Sequence, residues 1–312
     1  MTTPQRLLFV NVRKPPSVSV VFVSYNSGSV LPRAIASVPA AHQVVVVDNA
    51  SPEGTGWAEA VARPFDLLAL DANLGFGTAC NAGARAARGD YVLFLNPDAV
   101  LDEATIPALI DAVKRYGDPA IFMPAILGEN GRPMRKEGSI LEPVPRKRRL
   151  KGEEIAGDYC TRFVHGAAFL MERRAFLALG GFDERIFLYH EDDDLALRAL
   201  NGGIPIIVVT GARVVHAGGK SSTPSWRQTF RINRFKKQSE RYVRAKYGAS
   251  RGTGAELLHL AAGCLLSVLM LDIHRLMIRS GKIAGLIDPL PSLPAPSEGR
   301  SVDRAEPMRR PR

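Results

Sequence analysis

The densest concentration of chemistry in the chain is Glu191-Asp192-Asp193-Asp194, followed by Arg198. Four adjacent carboxylates repel one another, so such a run is tolerable only where water, a cation or a helix N-terminus offsets the charge. A helix starting there would set Arg198 one turn beyond Asp194. Phe182, Phe187 and Tyr189, just upstream, could shield part of the cluster and raise one carboxylate towards the pKa of a usable base. An acidic helix start with no ligand would read the same way. Asp98, in Asn96-Pro97-Asp98, emerges from an apolar run. A carboxylate there can hold Mg2+ or Mn2+ and leave positions for phosphates, or simply turn the chain into the next helix. Asp48, followed by Asn-Ala-Ser, could accept hydrogen bonds from a base or ribose, or cap a helix. In Asn73-Leu-Gly75-Phe-Gly77, with Asn81 beyond, two glycines precede a helix start that favours an anion, although the spacing is not the dinucleotide fingerprint. His216 offers an imidazole suited to a metal, and the Ala-Gly-Gly-Lys220 after it could close over phosphates.

These residues need elements to position them. Val18–Val23, Val44–Val47, Leu67–Leu70 and Tyr91–Leu95 are continuous apolar runs that read as buried strands. Helix-like segments at 29–38, 54–63, 78–88 and 102–116 alternate with them, which predicts an α/β fold with a parallel, doubly wound sheet. Ligands of such sheets lie beyond the carboxyl ends of the strands, where Ser24-Tyr25-Asn26, Asp48–Ser51 and Asn96–Asp98 fall. Residues 128–160 are expected to form a loop. Order resumes over 163–171, followed by helices near 172–179 and 192–200 and short strands at 204–209 and 212–216. From residue 225 the pattern is helical and basic, and beyond 288 it is Pro-, Ser- and Arg-rich, as in a disordered tail.

The ordered set Val-Ser24-Tyr25-Asn26, Asp48-Asn-Ala-Ser, Asn73-Leu-Gly75-Phe-Gly with Asn81, Asn96-Pro97-Asp98, His165-Gly166-Ala, Gly181-Phe182-Asp183-Glu184, Glu191-Asp192-Asp-Asp194-Leu with Arg198, and His216 resembles family 2 inverting glycosyltransferases. Within that family it is most similar to bacterial rhamnosyltransferases that extend lipid-linked glycans, over residues 17–222. The resemblance implies a GT-A fold, a mostly parallel Rossmann-like sheet flanked by helices. It also implies a nucleotide-diphosphate sugar donor, dTDP-rhamnose first and galactofuranose or another hexose second, and Mg2+ or Mn2+ as cofactor. By resemblance Asp192 is the base, with Glu191 and Asp194 orienting the cluster and Arg198 anchoring it. Asp98 and His216 hold the metal. Ser24, Tyr25, Asn26, Asp48, Asn73, Gly75, Asn81 and Asn96 line the nucleotide site, and His165 and Gly166 lie near the acceptor. The metal motif departs from Asp-x-Asp, leaving one carboxylate there and giving His216 more weight.

The expected organisation is an N-terminal tail (1–16), a GT-A catalytic domain (17–224) with a nucleotide half (17–127) and an acceptor half (161–224), a helical extension (225–287) and a tail (288–312). Three scattered cysteines exclude a disulfide framework and a Cys-x-x-Cys zinc site, and point to a reducing compartment. The N-terminus lacks a secretory signal pattern, which predicts a cytoplasmic location. The formal charge of +10 is uneven: residues 132–151 carry +6, 213–251 carry +10 and 272–312 carry +3, so the remaining chain is at −9. Basic appendages on an acidic body point to a polyanionic partner. A sugar nucleotidyltransferase would need a lysine in the Gly-rich loop after the first strand, and Ser24-Tyr-Asn-Ser-Gly-Ser has none. A non-catalytic nucleic-acid-binding protein would account for the basic patches, but not for carboxylates at several strand ends. No nucleic-acid partner is therefore expected.

Leu257–Leu271 is apolar except for His259 and Ser267, and at 15 residues it falls short of the roughly 20 needed to span a bilayer. On a helix, Glu256, His259, Gly263, Ser267 and His274 fall near one polar stripe. Such a helix docks on the catalytic domain, forms a homodimer, or lies in a membrane interface. Arg227, Arg231, Arg234, Lys236, Lys237, Arg241, Arg244 and Lys246 precede it, which favours an anionic membrane surface on the inner leaflet, where a glycan or polyprenyl-diphosphate-linked acceptor would be found.

Overall fold

A computed structural model describes residues 16–142, 155–218, 225–250 and 252–292. The four expected apolar runs form strands β1 (Val18–Ser24), β2 (Gln43–Asp48), β3 (Asp66–Ala69) and β4 (Tyr91–Leu95). Helices α1 (Leu31–Ala36) and α2 (Phe76–Ala86) and a short 3-10 turn (Gly56–Ala60) lie between them. The chain continues through β5 (Ala99–Leu101), α3 (Thr105–Tyr116), β6 (Ile121–Gly128), β7 (Tyr159–Thr161), β8 (Ala168–Glu172), α4 (Arg173–Ala178), α5 (Glu191–Asn201) and β9 (Ile206–His216). Three helices complete it: α6 (Trp226–Lys246), α7 (Gly254–Leu269) and α8 (Ile273–Ile287).

All strands join one nine-stranded sheet in the order β3-β2-β1-β4-β8-β6-β9-β5, with β7 beside β9. β3, β2, β1 and β4 are mutually parallel. β8 inserts antiparallel between β4 and β6, and β9 runs parallel to β6. The sheet is thus mostly parallel, as expected. Alternate strand residues bury on opposite faces: Val20, Phe22 and Leu93 pack with α1 and α3, while Val21, Val45 and Phe94 pack with α2, α4 and α5. Burial on both faces is why the strands read as unbroken apolar runs.

The two short strands expected at 204–209 and 212–216 are one strand, β9. Its register against β6 shifts between Pro124 and Ala125, where proline has no N–H to give the ladder. The expected loop of 128–160 begins as a turn after β6 and contains β7, while residues 143–154 lie outside the described residues. The same holds for Lys220 and for all of the expected tails 1–16 and 288–312 except residue 16 and residues 288–292, of which Asp288 and Pro289 bond to α6.

The helical extension is seated on the catalytic half. Phe235 of α6 stacks on Phe187 at 4.2 Å between ring centroids, and Ser239 donates to the Leu188 carbonyl at 2.9 Å. α8 packs along α6 through two glycines: a Cβ at Gly281 would lie 2.4 Å from the Phe230 carbonyl oxygen, and one at Gly285 would lie 2.1 Å from that of Arg234. Only glycine permits this approach.

Candidate active site

Sheet register builds the first part of the site. β5 runs antiparallel to β9 with Ala99 opposite His216, so Asp98 arrives beside the His216 ring. Asp98 Oδ1 lies 3.1 Å from His216 Nε2, and Asn96 Nδ2 lies 3.5 Å from the same nitrogen. Both Asp98 and His216 are nearly enclosed, with side chains 4% and 11% exposed. His216 Nδ1 is buried without a hydrogen-bond partner among the described residues. No group of three His, Cys, Asp or Glu side chains gathers at one point among those residues. The donor set is therefore one carboxylate and one imidazole. It fits Mg2+ or Mn2+ held by few protein ligands, with water and phosphate oxygens completing the shell.

His165 stands at the next position, its ring edge-on to that of His216 with centroids 6.2 Å apart. Burial pushes its pKa down to about 4, against an opposing pull from Asp192. The ring is neutral at physiological pH, and its Nδ1 accepts from the Ala167 N–H at 3.2 Å. Gly166 then lies against the acidic cluster: a Cβ there would sit 3.5 Å from Asp192 Oδ2. Asp98, His216, His165, Gly166 and Asp192 thus form one continuous line across the sheet's carboxyl ends.

The four carboxylates occupy the first turn of α5, where the positive end of the helix dipole favours them, and each has a different environment. Asp192 is the most open; its Oδ2 is ion-paired with Lys136 at 2.6 Å. Asp193 also meets Lys136, at 2.8 Å, and His190 Nδ1 at 3.0 Å. Burial raises its pKa, but the His190 and Lys136 contacts outweigh this and hold it below the usual carboxylate range. Glu191 points inward, near Gly77 and Cys80 of α2. Burial, followed by the Asp192 charge, holds its carboxyl well above the usual range. Asp194 is fully buried and receives Arg198 Nε at 2.8 Å, Lys246 Nζ at 2.5 Å and the Tyr247 hydroxyl at 2.8 Å. Three donors, two of them from beyond residue 225, make Asp194 a junction between α5 and α6.

A second group lies at the ends of β1 and β2. Ser24 pairs in register with Asp48. Asp48 is bound to the turn after it, accepting from the Ser51 hydroxyl at 2.6 Å and the Ser51 N–H at 3.1 Å. Ser24 Oγ and Asn26 Oδ1 are buried with no partner among the described residues, and Tyr25 between them is half-buried. Orphaned polar atoms at a strand end are where a polar ligand would be satisfied. Gly75 adopts φ 91, and a Cβ there would meet the Phe187 carbonyl oxygen at 2.3 Å. Its glycine is thus fixed by the approach of the segment leading to the acidic cluster.

Two residues expected to line the nucleotide site, Asn81 and Asn73, bond within the protein, and Arg198 anchors the cluster as expected. Asn81 is buried; its Oδ1 accepts from the Phe182 N–H and its Nδ2 donates to the Phe182 carbonyl and to Glu184. Asn73 Oδ1 accepts from Asn49 Nδ2 and from the Gly75 N–H. Arg198 donates to Asp194 and to the carbonyls of Leu179 and Gly181. Asn81 reaches a turn about a hundred residues away in sequence, Asn73 holds its own loop, and Arg198 ties α5 to the turn before it. Two site residues were given no role from sequence, although Asn49 lies in the quoted Asp48–Ser51 motif. Lys136 lies in the expected loop, and Asn49 pins the 73–75 loop through both ends of its amide.

A cleft of about 660 Å³ opens beside the cluster, between β6, β7, β9 and the 131–137 segment. Its wall includes Lys136, His165, Tyr159, Thr210 and Arg213, so it reaches the cluster from the side opposite Asp48.

The fold is that of a glycosyltransferase: the chain belongs to glycosyl transferase family 2, which it matches over residues 19–180. Among curated relatives, the N-acetylglucosaminyl-diphospho-decaprenol L-rhamnosyltransferase of Mycobacterium tuberculosis H37Rv is 32% identical over 233 residues, covering 63% of this chain and 75% of that protein. Rhamnosyltransferase WbbL of Escherichia coli K12 is 26% identical over 157 residues, covering 47% and 60%. Among solved structures, GalNAc-T7 with UDP, GalNAc and Mn2+ superposes with a TM-score of 0.55 at 18% identity, over 78% of this chain and 53% of that one. The mannosyltransferase PcManGT of Pyrobaculum calidifontis with GDP-Man and Mn2+ gives 0.50 at 18% identity, over 88% and 87%. The structural likenesses establish the GT-A fold. Family membership sets aside the nucleotidyltransferase and nucleic-acid-binding readings.

Proposed function

We propose that the protein transfers rhamnose, with inversion, from dTDP-rhamnose to an N-acetylglucosaminyl-diphosphopolyprenol or a related lipid-linked glycan. The mycobacterial relative's activity supports the sugar and the acceptor. The observation that carries the mechanism is the line from Asp98 and His216 through His165 and Gly166 to Asp192. It sets a candidate metal pair and a candidate base on one surface, as a single displacement at the anomeric carbon requires. Asp192, the most open of the four carboxylates, takes the proton from the acceptor hydroxyl. Glu191 is too enclosed to reach an acceptor, and Asp194 is used up by its three donors. Neutral His165 fills the space between base and metal pair without adding charge. Ser24, Asn26 and Asp48 receive the nucleoside. A divalent cation bound by Asp98 and His216 would neutralise charge gathering on the departing diphosphate. The acceptor enters through the 660 Å³ cleft, where Arg213 meets its phosphates and Lys136, ion-paired with Asp192 and Asp193, borders the base.

We further propose that the enzyme works in the cytoplasm, held peripherally on the inner face of the membrane where lipid-linked acceptors reside. Among the described residues no helix is long and apolar enough to cross a membrane. The test is a screen of dTDP-, UDP- and GDP-sugars with Mn2+ or Mg2+ and a synthetic GlcNAc-diphosphopolyprenol, reading released nucleotide diphosphate and glycolipid product. Acceptor-dependent release from dTDP-rhamnose alone is the expected result. Turnover of another donor in its place would overturn the sugar assignment.

A further inference from the structure

α7 is built inside out. Glu256, Gly263 and Ser267 of the polar stripe face the protein. Glu256 ion-pairs with Lys237, Ser267 receives Arg279 Nη1 at 2.5 Å, and Gly263 lies directly under the Arg279 guanidinium. The outward face is mostly apolar and uncovered among the described residues, with only His259 of the polar stripe exposed on α7: Leu258, Leu265 and Leu269 are 74%, 64% and 73% exposed, and Leu266, Val268 and Met270 at least half exposed.

The corner after α7 carries the pattern further. The Asp272 N–H donates to the Ser267 carbonyl at 2.9 Å and the Leu271 N–H to that of Val268 at 3.1 Å, the paired bonds of a Schellman cap. The residue that must then turn left-handed is normally glycine or asparagine. Here it is Leu271, at φ 52 and 86% exposed. Backbone geometry alone favours glycine there, and the leucine side chain is left projecting from the corner.

What lies outside can be read from the neighbouring charge. Gly281 lies against Phe230 and Gly285 against Arg234, so α8 runs parallel to α6. The Leu269–Ile273 corner therefore shares one end of the helical layer with Trp226, which is 57% exposed and carries the Arg227 guanidinium 4.9 Å from its ring centroid. Exposed Arg231 and, in the first turn of α8, exposed Arg275, which ion-pairs with Asp272, complete a cationic collar. An apolar tip ringed by tryptophan and arginine matches the acyl and headgroup layers of a lipid surface.

We infer that α7 and the α7–α8 corner insert into the headgroup–acyl boundary of a phospholipid bilayer, with apolar burial as the main attraction. This deepens the membrane placement proposed above and rests on it, but not on the identity of the sugar. It also reverses the weighting expected from sequence, because five of the eight α6 cations are occupied internally. Arg234 is bound to Asp288, Lys237 to Glu240 and Glu256, Arg241 to the Gly285 and Asp288 carbonyls, Arg244 to Glu240, and Lys246 to Asp183 and Asp194.

The test is flotation of the full-length protein with neutral phosphatidylcholine vesicles and with vesicles containing phosphatidylglycerol, at low and high salt. Binding to neutral vesicles should survive high salt. Leu265→Asp, Leu269→Asp and Leu271→Asp should each lower partitioning by roughly tenfold or more, the scale of one leucine withdrawn from an apolar phase. The substituted side chains are exposed, so wild-type thermal midpoints are expected and certify folding. Arg231→Gln with Arg275→Gln should weaken only the low-salt binding to anionic vesicles. Binding confined to anionic vesicles at low salt would overturn insertion while leaving peripheral placement standing, and binding to no vesicle would overturn both. A stable dimer that ignores vesicles and dissociates on Leu269→Asp would assign this face to a second copy of the chain and overturn the inference.

Discussion

Replacing Lys246 by methionine removes one ammonium from two buried carboxylates and keeps most of the side-chain volume. Its Nζ lies 2.5 Å from Asp194 Oδ1 and 2.7 Å from Asp183 Oδ2. Asp194 is left with Arg198 and Tyr247, and Asp183 with Tyr242 at 2.8 Å and Arg185. Breaking a buried pair by deleting one partner costs about 3–5 kcal/mol. Because other donors remain to both carboxylates, about 3 kcal/mol is expected, which at roughly 2 °C per kcal/mol for a chain of this size lowers Tm by about 6 °C. The deficit must also depend on pH. Burial pushes the Asp183 carboxyl up, but the Lys246, Tyr242 and Arg185 N–H contacts outweigh it and leave the folded value below the ordinary range. A carboxylate depressed by folding stabilises above its unfolded pKa, and that stability is lost as pH falls through the folded value. The deficit should therefore be full at neutral pH and shrink in acid. Thermal and urea unfolding followed by circular dichroism, at neutral and acid pH, measure both effects. A Tm change below about 1 °C at neutral pH, or a deficit that persists undiminished in acid, would refute the reasoning.

Asp192→Asn should lower glycosyl transfer by roughly 10² or more, the scale of general base catalysis, with donor affinity unchanged in a titration; near-normal turnover would move the base elsewhere. Asp98→Ala and His216→Ala should each weaken Mn2+-dependent donor binding by calorimetry, and the double variant should be no worse than the poorer single one, since either breaks the same site. Full activity in EDTA would remove the metal from the scheme. Gly75→Ala would press a Cβ to within 2.3 Å of the Phe187 carbonyl oxygen at φ 91 and should cost about 1–3 kcal/mol in urea unfolding; an unchanged midpoint would show that the Phe187 segment yields.

The nucleotide half of the fold was legible because each strand is a long apolar run buried on both faces, and its functional ends follow at once. β5 and β6 were not. β5 has only three residues, and Pro124 interrupts β6 at the position where its ladder to β9 slips. Types of site residue were easier to read than their employment. Asp98 and His216 come together and Arg198 anchors Asp194 as the resemblance implied, whereas Asn81, expected in the nucleotide site, braces the turn at Phe182 and Glu184. Nothing local distinguishes a polar side chain that meets a ligand from one that meets a backbone carbonyl a hundred residues away. Lys136 and Lys246 show the converse, since their carboxylate partners are fixed only by tertiary structure.

Asp98 and His216 are 118 positions apart, and they meet through a ladder of three residue pairs. Closing a loop of that length costs roughly 4 kcal/mol of chain entropy by the logarithmic rule, so this contact forms only after the intervening sheet has prepaid the search. At synthesis speeds of about 5–20 residues per second, roughly 6–24 s separate the emergence of the aspartate from that of the histidine. Throughout that interval β1 to β4 can pair while the proposed cation site has only one of its two side chains. On that proposal donor capture waits until the ribosome has passed β9, and a chain arrested before that point should bind neither Mn2+ nor nucleotide sugar.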